Sequence, residues 1–493
     1  MALTTRRTFV QQTAFAAAFS GISIRALAGR QRIFEAQEQG AAPVDAAAIR
    51  KLASKITGHL ITPDAPDYES SRLVGNRAFD RRPALIVRCA SASDVPLALD
   101  FGRSHSLPLA VRGGAHSAAG FGVCDGGVVI DLSGMKRVEV DPDKRVARAE
   151  AGSLVRDVDE ATQRFGLATT LGACPTVGIA GLTLGGGMGT LMAKYGAACD
   201  NLLSAQIVTV DGKQVEASPN SNADLFWAIR GGGGNFGVAT ALEYRLHPVN
   251  EVLAGALTYP AGRLSELLKT YAKVSAAAPD EMAMISQVFP SEQGVRFRVL
   301  VSYYGQPSVG NDLLRPLRSL IKPQDDTVKV MPYLEAQSAG FPPSLKPSAY
   351  FVMNVLLPEL SEGAIAAMTT ATNDAPQRFR VMMGQLHGAV TRVRSSDMAF
   401  SLRAAGYEVE ISSNWGAPEE KASSVQWVNA LRSELQPFSQ GLYVNALSDT
   451  STDLIKTGYG SNYARLVEIK GKYDPTNVLR LNPNIRPTAP SNN

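Results

Sequence analysis

With 493 residues, 45% of them hydrophobic, 19% charged and 44 of them glycine, the chain has the composition of a globular, loop-rich enzyme with room for two domains or an interleaved pair. Three of its positive charges, Arg6, Arg7 and Arg25, lie near the N-terminus, and the remaining 46 basic residues against 45 acidic ones give no electrostatic case for nucleic acid or anionic lipid. No apolar run of about 18 residues past the N-terminus predicts a membrane span, and Cys89, Cys124, Cys174 and Cys199 lack the spacing of a zinc or iron–sulfur site.

Thr5-Arg6-Arg7-Thr8-Phe9-Val10, the apolar stretch Ala14 to Ile24 and the small-x-small site Ala26-Leu27-Ala28 follow the order of a twin-arginine export signal over residues 1–28, which predicts a periplasmic or secreted protein. An amphipathic N-terminal helix is the alternative. Residues 29–67 read as a lead-in with one helical patch, Val44 to Thr57, and packed structure is expected from about Tyr68. Arg82 to Cys89 predicts a buried strand, Ser93 to Ser104 a helix and Pro108 to Arg112 a second strand, in β-α-β order. The turn that follows, Arg112-Gly113-Gly114-Ala115-His116-Ser117, brings backbone close to something and then presents a histidine, which taken alone reads as a hydrogen-bonded surface residue.

Two further strands, Gly127 to Leu132 and Arg145 to Gly152, precede an amphipathic helix over Leu154 to Phe165. The stretch Leu171 to Asn201 then sets a thiol, Cys174, before glycines at 178, 181, 185, 186, 187 and 189. Such a run lets backbone N–H groups approach a bulky anionic ligand without Cβ obstruction; the thiol by itself is equally a core residue. Past the strands Leu202 to Val210 and Lys213 to Ala217, the helix Ala223 to Ile229 ends in Gly231 to Gly237. Positions 232, 234 and 237 match G-x-G-x-x-G, but a helix precedes them and an alternating strand, Val238 to Leu246, follows, the reverse of the dinucleotide-binding order. A tight crossover and a cofactor contact both remain open there.

The middle of the chain predicts helices at Arg263 to Ala278, Asp312 to Ile321, Gly363 to Thr372 and Glu419 to Leu435. Strands are predicted near Met282 to Phe289, Val295 to Tyr304, Tyr350 to Leu357, Arg378 to Met382 and Tyr407 to Asn414, so that one sheet face is covered by helices and the other is free. In the last strand Val409 and Ile411 point one way while Glu408, Glu410 and Ser412 point the other, so two carboxylates share a face.

Together RGGAHS at 112–117, GACPTVGIAGLTLGGGMG at 172–189, KYGAACDN at 194–201, DLFWAIRGGGGNFGV at 224–238 and NYARLVEIKGKYDPTNVLRLNPNI at 462–485 resemble the berberine bridge enzyme-like flavin oxidases of the vanillyl-alcohol oxidase/para-cresol methylhydroxylase superfamily. The resemblance implies an α+β fold, with an FAD-binding domain in two parts (residues 68–250 and 441–493) around an α+β substrate domain (residues 251–440) whose antiparallel sheet is covered by helices. It implies FAD held bicovalently, His116 on the flavin 8α carbon and Cys174 on C6, with Arg112, Gly113, Gly114, Ala115, Ser117, Gly178, Gly181, Gly186, Gly187 and Asn445 lining it. At most one disulfide could then form among Cys89, Cys124 and Cys199. Val177 falls at the position where Val or Ile accompanies oxygen reactivity in the family, which favours an oxidase over a dehydrogenase that passes electrons to a quinone or protein carrier. Glu410 is the first candidate for the proton-abstracting base, followed by Glu408 and Tyr443; Ala446 breaks the pattern of the family members that use a tyrosine base. Tyr195 is either a gate at the site mouth or a packed residue. The expected reaction is hydride transfer from an alcohol or similar group of a small organic or carbohydrate substrate, with O2 reoxidising the flavin to give H2O2. The rival reading from outside enzymology is an exported ligand-binding protein.

Overall fold

The computed structural model describes residues 45–339 and 347–488, so the predicted export leader and the first part of the lead-in lie outside the described residues. Among the described residues packed structure is already present from Asp45, ahead of the expected Tyr68. The Asp45 carboxylate caps the helix Ala46–Ala53 through the N–H of Ala47, and Leu52 of that helix is buried. The strand β1 (His59–Ile61) follows and pairs antiparallel with β2 (Leu85–Arg88). The cause is Asp94, whose carboxylate gathers the N–H groups of Thr57, Gly58 and Ala90 at 2.8–3.0 Å and pins the lead-in to the first helix of the β-α-β unit. Burial would raise this carboxyl, but those donors hold it below its usual range.

The first sheet has the order β1-β2-β4-β3, with β3 (Leu109–Arg112) and β2 both parallel to β4 (Val128–Asp131). Val128, Val129 and Ile130 are fully buried, as a strand covered on both faces requires. A second, antiparallel sheet runs β5-β6-β10-β8-β9, from β5 (Val138–Asp141), β6 (Val146–Glu150), β8 (Leu202–Val208), β9 (Gln214–Ala217) and β10 (Val238–Arg245). The short strands β7 (Leu167–Ala168) and β11 (His247–Pro248) pair beside it.

The third sheet is wholly antiparallel and follows the order β15-β12-β14-β13-β18-β19-β17, with β16 also on β12. Its strands are β12 (Glu251–Pro260), β13 (Met282–Ser291), β14 (Gly294–Tyr303), β15 (Asp325–Asp326), β16 (Lys329–Pro332), β17 (Ala349–Leu357), β18 (Phe379–Leu386) and β19 (Gly406–Trp415). Helices Leu264–Ala276 and Glu420–Leu435 pack on one face: Ser275 bonds the Tyr407 hydroxyl at 2.6 Å, and Trp427 lies 5.2 Å from Phe379 between ring centroids. That face carries Tyr407, Val409 and Ile411, leaving Glu408 and Glu410 on the other.

Several elements depart from expectation. The single helix expected over Asp312 to Ile321 is two, Pro307–Leu313 and Arg315–Leu320, because Pro316 can only open a helix at its first turn. The strand β12 and the helix Tyr333–Ala339 were not anticipated. Inside the glycine-rich stretch, Ile179–Leu184 forms a short helix between Gly178 and Gly185.

The G-x-G-x-x-G segment resolves as a crossover that clamps the C-terminal return. Asn235 donates to the carbonyl of Pro483 and accepts the N–H of Ile485, and a Cβ on Gly234 would lie 2.9 Å from Asn482. From the helix Tyr463–Tyr473, the fully buried Lys470 donates to the Asn235 carbonyl (2.8 Å), to Asp474 (2.6 Å) and to the Leu479 carbonyl (3.2 Å). Burial pulls its ammonium below the usual lysine range, and Asp474 opposes that shift. Replacing Lys470 with Met leaves a buried carboxylate without its cation, so urea unfolding of the whole chain should show a loss of about 3–5 kcal/mol. A loss under about 1 kcal/mol would contradict this assignment.

Candidate functional site

The end of β3 and the start of the glycine-rich stretch meet backbone to backbone. A Cβ on Gly114 would stand 2.2 Å from the amide nitrogen of Gly178, and one on Gly178 would stand 2.3 Å from that of Gly114. Neither position tolerates a side chain. Ala115, next in the turn, sits at φ 58°, a left-handed conformation rare for a residue with a Cβ. Among the described residues no protein acceptor takes the N–H groups of Gly113, Gly114, Ala115, His116 or Ser117.

This junction brings together the two residues expected to hold the flavin. The Thr176 hydroxyl lies 3.0 Å from His116 Nε2 and 3.4 Å from Cys174 Sγ, so one side chain spans both. Thr176 was not singled out in the sequence, although it stands between the thiol and Val177. Cys174 is half-buried and free, as are the buried Cys89, Cys124 and Cys199, so no disulfide joins any of them. His116 is open to solvent at one side, yet enough protein surrounds it that desolvation lowers its imidazole pKa and favours the neutral, nucleophilic form. Val177 is half-buried beside them, its carbonyl accepting the N–H of Val155. Gly181 has no heavy atom within 4 Å of where a Cβ would be, so the wall past Thr176 is open.

Other expected lining residues have different work. The buried Arg112 guanidinium is committed to Asp131 (2.8 Å) and to the Ser71 carbonyl, so its side chain is not a free phosphate ligand. Burial would raise Asp131, but Arg112 overrides it and holds that carboxyl below its usual range. Gly186 gives its N–H to the Thr183 carbonyl and Gly187 gives its own to the Tyr443 hydroxyl, so neither amide is available to a cofactor. Their missing Cβ atoms admit Phe400 and Ala198 instead. Asn445 donates to the Gly181 and Leu182 carbonyls and to the Tyr443 hydroxyl, closing the end of the short helix. Ser117 caps its own turn, accepting the N–H of Phe121. Tyr195 is a packed residue: its ring stacks on His247 at 4.0 Å and 9°, with its hydroxyl on the Pro248 carbonyl.

Facing the junction, the free side of the third sheet carries the carboxylates. Asn354 on β17 pairs with Glu410 and grips the turn after Gln440, donating to the carbonyls of Tyr443 and Ala446 and accepting the N–H of Tyr443 at 2.7 Å. Glu410 is ion-paired with Arg380 at 3.1 Å, a partner two residues along β18 that strand alternation predicts but that the sequence reading passed over. Glu408 is buried, and its Oε1 has no hydrogen-bond partner. Burial and then the Glu410 charge drive its carboxyl well above the usual range, against the pull of Arg380. Burial also raises the Tyr443 phenol, whose oxygen accepts from both Gly187 and Asn445. Among the described residues no group of His, Cys, Asp and Glu is placed to hold a metal ion, and no helix is long and apolar enough to cross a membrane.

The unclaimed amides of 113–117, the open wall at Gly181 and the imidazole–thiol pair fit a large anionic cofactor such as FAD. Comparison with known proteins agrees. Residues 83–218 match the FAD binding domain model, and residues 442–486 match the model described as berberine and berberine like. A FAD-linked oxidoreductase of Bacillus subtilis is 33% identical over 446 residues, covering 88% of this chain and 98% of its own. The (R)-6-hydroxynicotine oxidase of Paenarthrobacter nicotinovorans is 30% identical, with 89% and 99% covered. The crystal structure of 6-hydroxy-D-nicotine oxidase from Arthrobacter nicotinovorans superposes with a TM-score of 0.81 at 27% identity, covering 87% of this chain and 98% of that one. Berberine bridge enzyme, at 22% identity and a TM-score of 0.83, shares the fold. By its fold, its two matched segments and these relatives, the chain belongs to the berberine bridge enzyme-like family of FAD-linked oxidoreductases.

Proposed function

We propose that this enzyme is an oxidase carrying FAD bonded to both His116 and Cys174. The single observation that supports it most is the Thr176 hydroxyl lying within reach of both the imidazole and the thiol, which brings two nucleophiles from distant segments to one place. A neutral His116 can form its bond without first losing a proton to another base. When bound, FAD supplies a two-electron acceptor for hydride.

The remaining chemistry belongs to the sheet. Two carboxyls on one strand face have environments that separate their roles: Glu410 is ion-paired with Arg380, while burial and the neighbouring Glu410 charge push the Glu408 carboxyl well above the usual range and favour its protonated form. Glu410 therefore takes the proton from the substrate O–H or activated X–H group, and protonated Glu408 donates a hydrogen bond that orients that group. Tyr443 holds the glycine wall through Gly187, which leaves the base role with Glu410. Val177, half-buried beside the thiol, supports O2 as the acceptor by analogy with the family, and the order of residues 5–28 supports export by the twin-arginine route.

In an anaerobic stopped flow, Glu410→Gln should keep the yellow flavin and slow its bleaching by an alcohol substrate by about 100-fold or more; unchanged bleaching removes Glu410 from the mechanism. Because Glu408 must stay protonated, kcat should fall as pH rises through its elevated pKa. Glu408→Gln should abolish that alkaline limb, and a limb that survives in this variant would assign it elsewhere. Under air, each substrate oxidised should yield one H2O2, whereas turnover only with an added quinone would point to a dehydrogenase.

A further inference from the structure

Between the Cys174 segment and the free face of the third sheet lies a cavity of ≈ 30 Å³, whose lining includes the apolar Ala173, Ala283, Ile285 and Leu300 and the polar Thr190 and Gln337. Its position relative to the carboxylates follows from strand register. Leu300 on β14 pairs with Ile285 on β13, Ile285 with Gly384 on β18, and Gly384 with Glu408 on β19, so all four point to the same side in one row. Adjacent strands lie about 4.8 Å apart, which sets Ile285 about 10 Å from Glu408. Between them Gly384 has no heavy atom within 4 Å of where a Cβ would stand. A trough with a bare floor therefore runs from the carboxylates to the cavity.

Most polar groups at the far end are already engaged with one another, one buried oxygen of Asp159 being left without a partner. The Tyr304 hydroxyl donates to Thr190 at 2.6 Å, Thr190 donates to Gln337 Oε1 at 3.2 Å, and Gln337 Nε2 donates to Asp159 (3.2 Å) and to the Gly172 carbonyl (3.4 Å). Hydroxyls of a saccharide brought into this cavity would lose water and find few free partners, whereas an alkyl group loses nothing there. That volume is room for about two or three waters, which matches a short alkyl arm.

We infer that the trough from Glu408 and Glu410 to the cavity beside Ala173 selects substrates with a flat, ring-sized apolar body and a short alkyl arm, and disfavours oligosaccharides. This rests on the reading that substrate is oxidised beside Glu410. An aryl carbinol bearing a para-alkyl chain spans the required length: with its carbinol carbon at Glu410, one aromatic ring crosses Gly384 and two or three carbons enter the cavity.

The test uses the purified full chain with bound flavin, and benzyl alcohol, its 4-methyl, 4-ethyl, 4-propyl and 4-hexyl derivatives, and cellobiose as probes of anaerobic bleaching. The ratio of kcat/KM to that of benzyl alcohol should rise about three- to fourfold per carbon up to propyl and fall at hexyl. Ala283→Leu should bring the propyl ratio close to one, and Leu300→Ala, which enlarges the same space, should move the optimum to a longer chain. If one of these variants does not fold, the other still decides. Bleaching by benzyl alcohol with no dependence on chain length, or bleaching by cellobiose in preference to the aryl series, overturns the inference and leaves the flavin enzyme standing. A yellow protein that none of the probes bleaches overturns it too. A colourless chain overturns the functional reading and the inference with it.

Discussion

Two backbone turns pressed together at Gly114 and Gly178 are the constraint on which the rest depends. With 2.2 Å between a would-be Cβ and the facing amide nitrogen, only glycine lets the end of β3 and the start of the glycine-rich stretch share one place. The close approach is what sets His116 and Cys174 on either side of Thr176. It also leaves five successive N–H groups without a protein acceptor among the described residues. The left-handed Ala115 between them shows that the turn is held by its surroundings rather than by local preference. Those surroundings include Arg112, buried against Asp131 and the Ser71 carbonyl at the base of the turn, a role in support of the site rather than in contact with its ligand.

The second constraint is electrostatic and sits on the opposite wall. Residues two apart on a strand are about 7 Å apart, so at an effective dielectric of about 20 two carboxylates there repel by about 2 kcal/mol, a term that adds to burial in raising the Glu408 carboxyl. Arg380 pairs with Glu410, while burial is the first cause that raises Glu408. The Asn354 side chain then ties this sheet to the segment bearing Tyr443, and Tyr443 ties that segment to Gly187. Sheet, return segment and glycine wall are thus joined by hydrogen bonds that run through the site itself.

Much of this architecture was legible in the residues. Alternation in Gly406–Trp415 sets Glu408 and Glu410 on one face, and the resemblance carried by the motifs at 112–117 and 172–189 implies that His116 and Cys174 meet, as they do around Thr176. What escaped were features that depend on partners far away in sequence. Nothing local says that the amide of Gly187 belongs to Tyr443, or that the Arg112 guanidinium is spent on Asp131, because both bonds are made only when the chain closes. Tyr195 reads as a gate or a core residue until His247 supplies its stack. The lead-in hid a three-residue strand because β1 is stabilised by Asp94 and by its neighbour β2, not by its own composition. Thr176 was overlooked for the same reason, since a threonine between a thiol and a valine carries no signal until the imidazole arrives 3.0 Å away.

The central claim is that one flavin joins two distant parts of the chain. Proteolysis of the denatured holoprotein followed by mass spectrometry tests it directly. The account predicts one species in which the peptide containing His116 and the peptide containing Cys174 are linked through a single flavin. Recovery of both peptides at their unmodified masses, with the flavin free in solution, would contradict it.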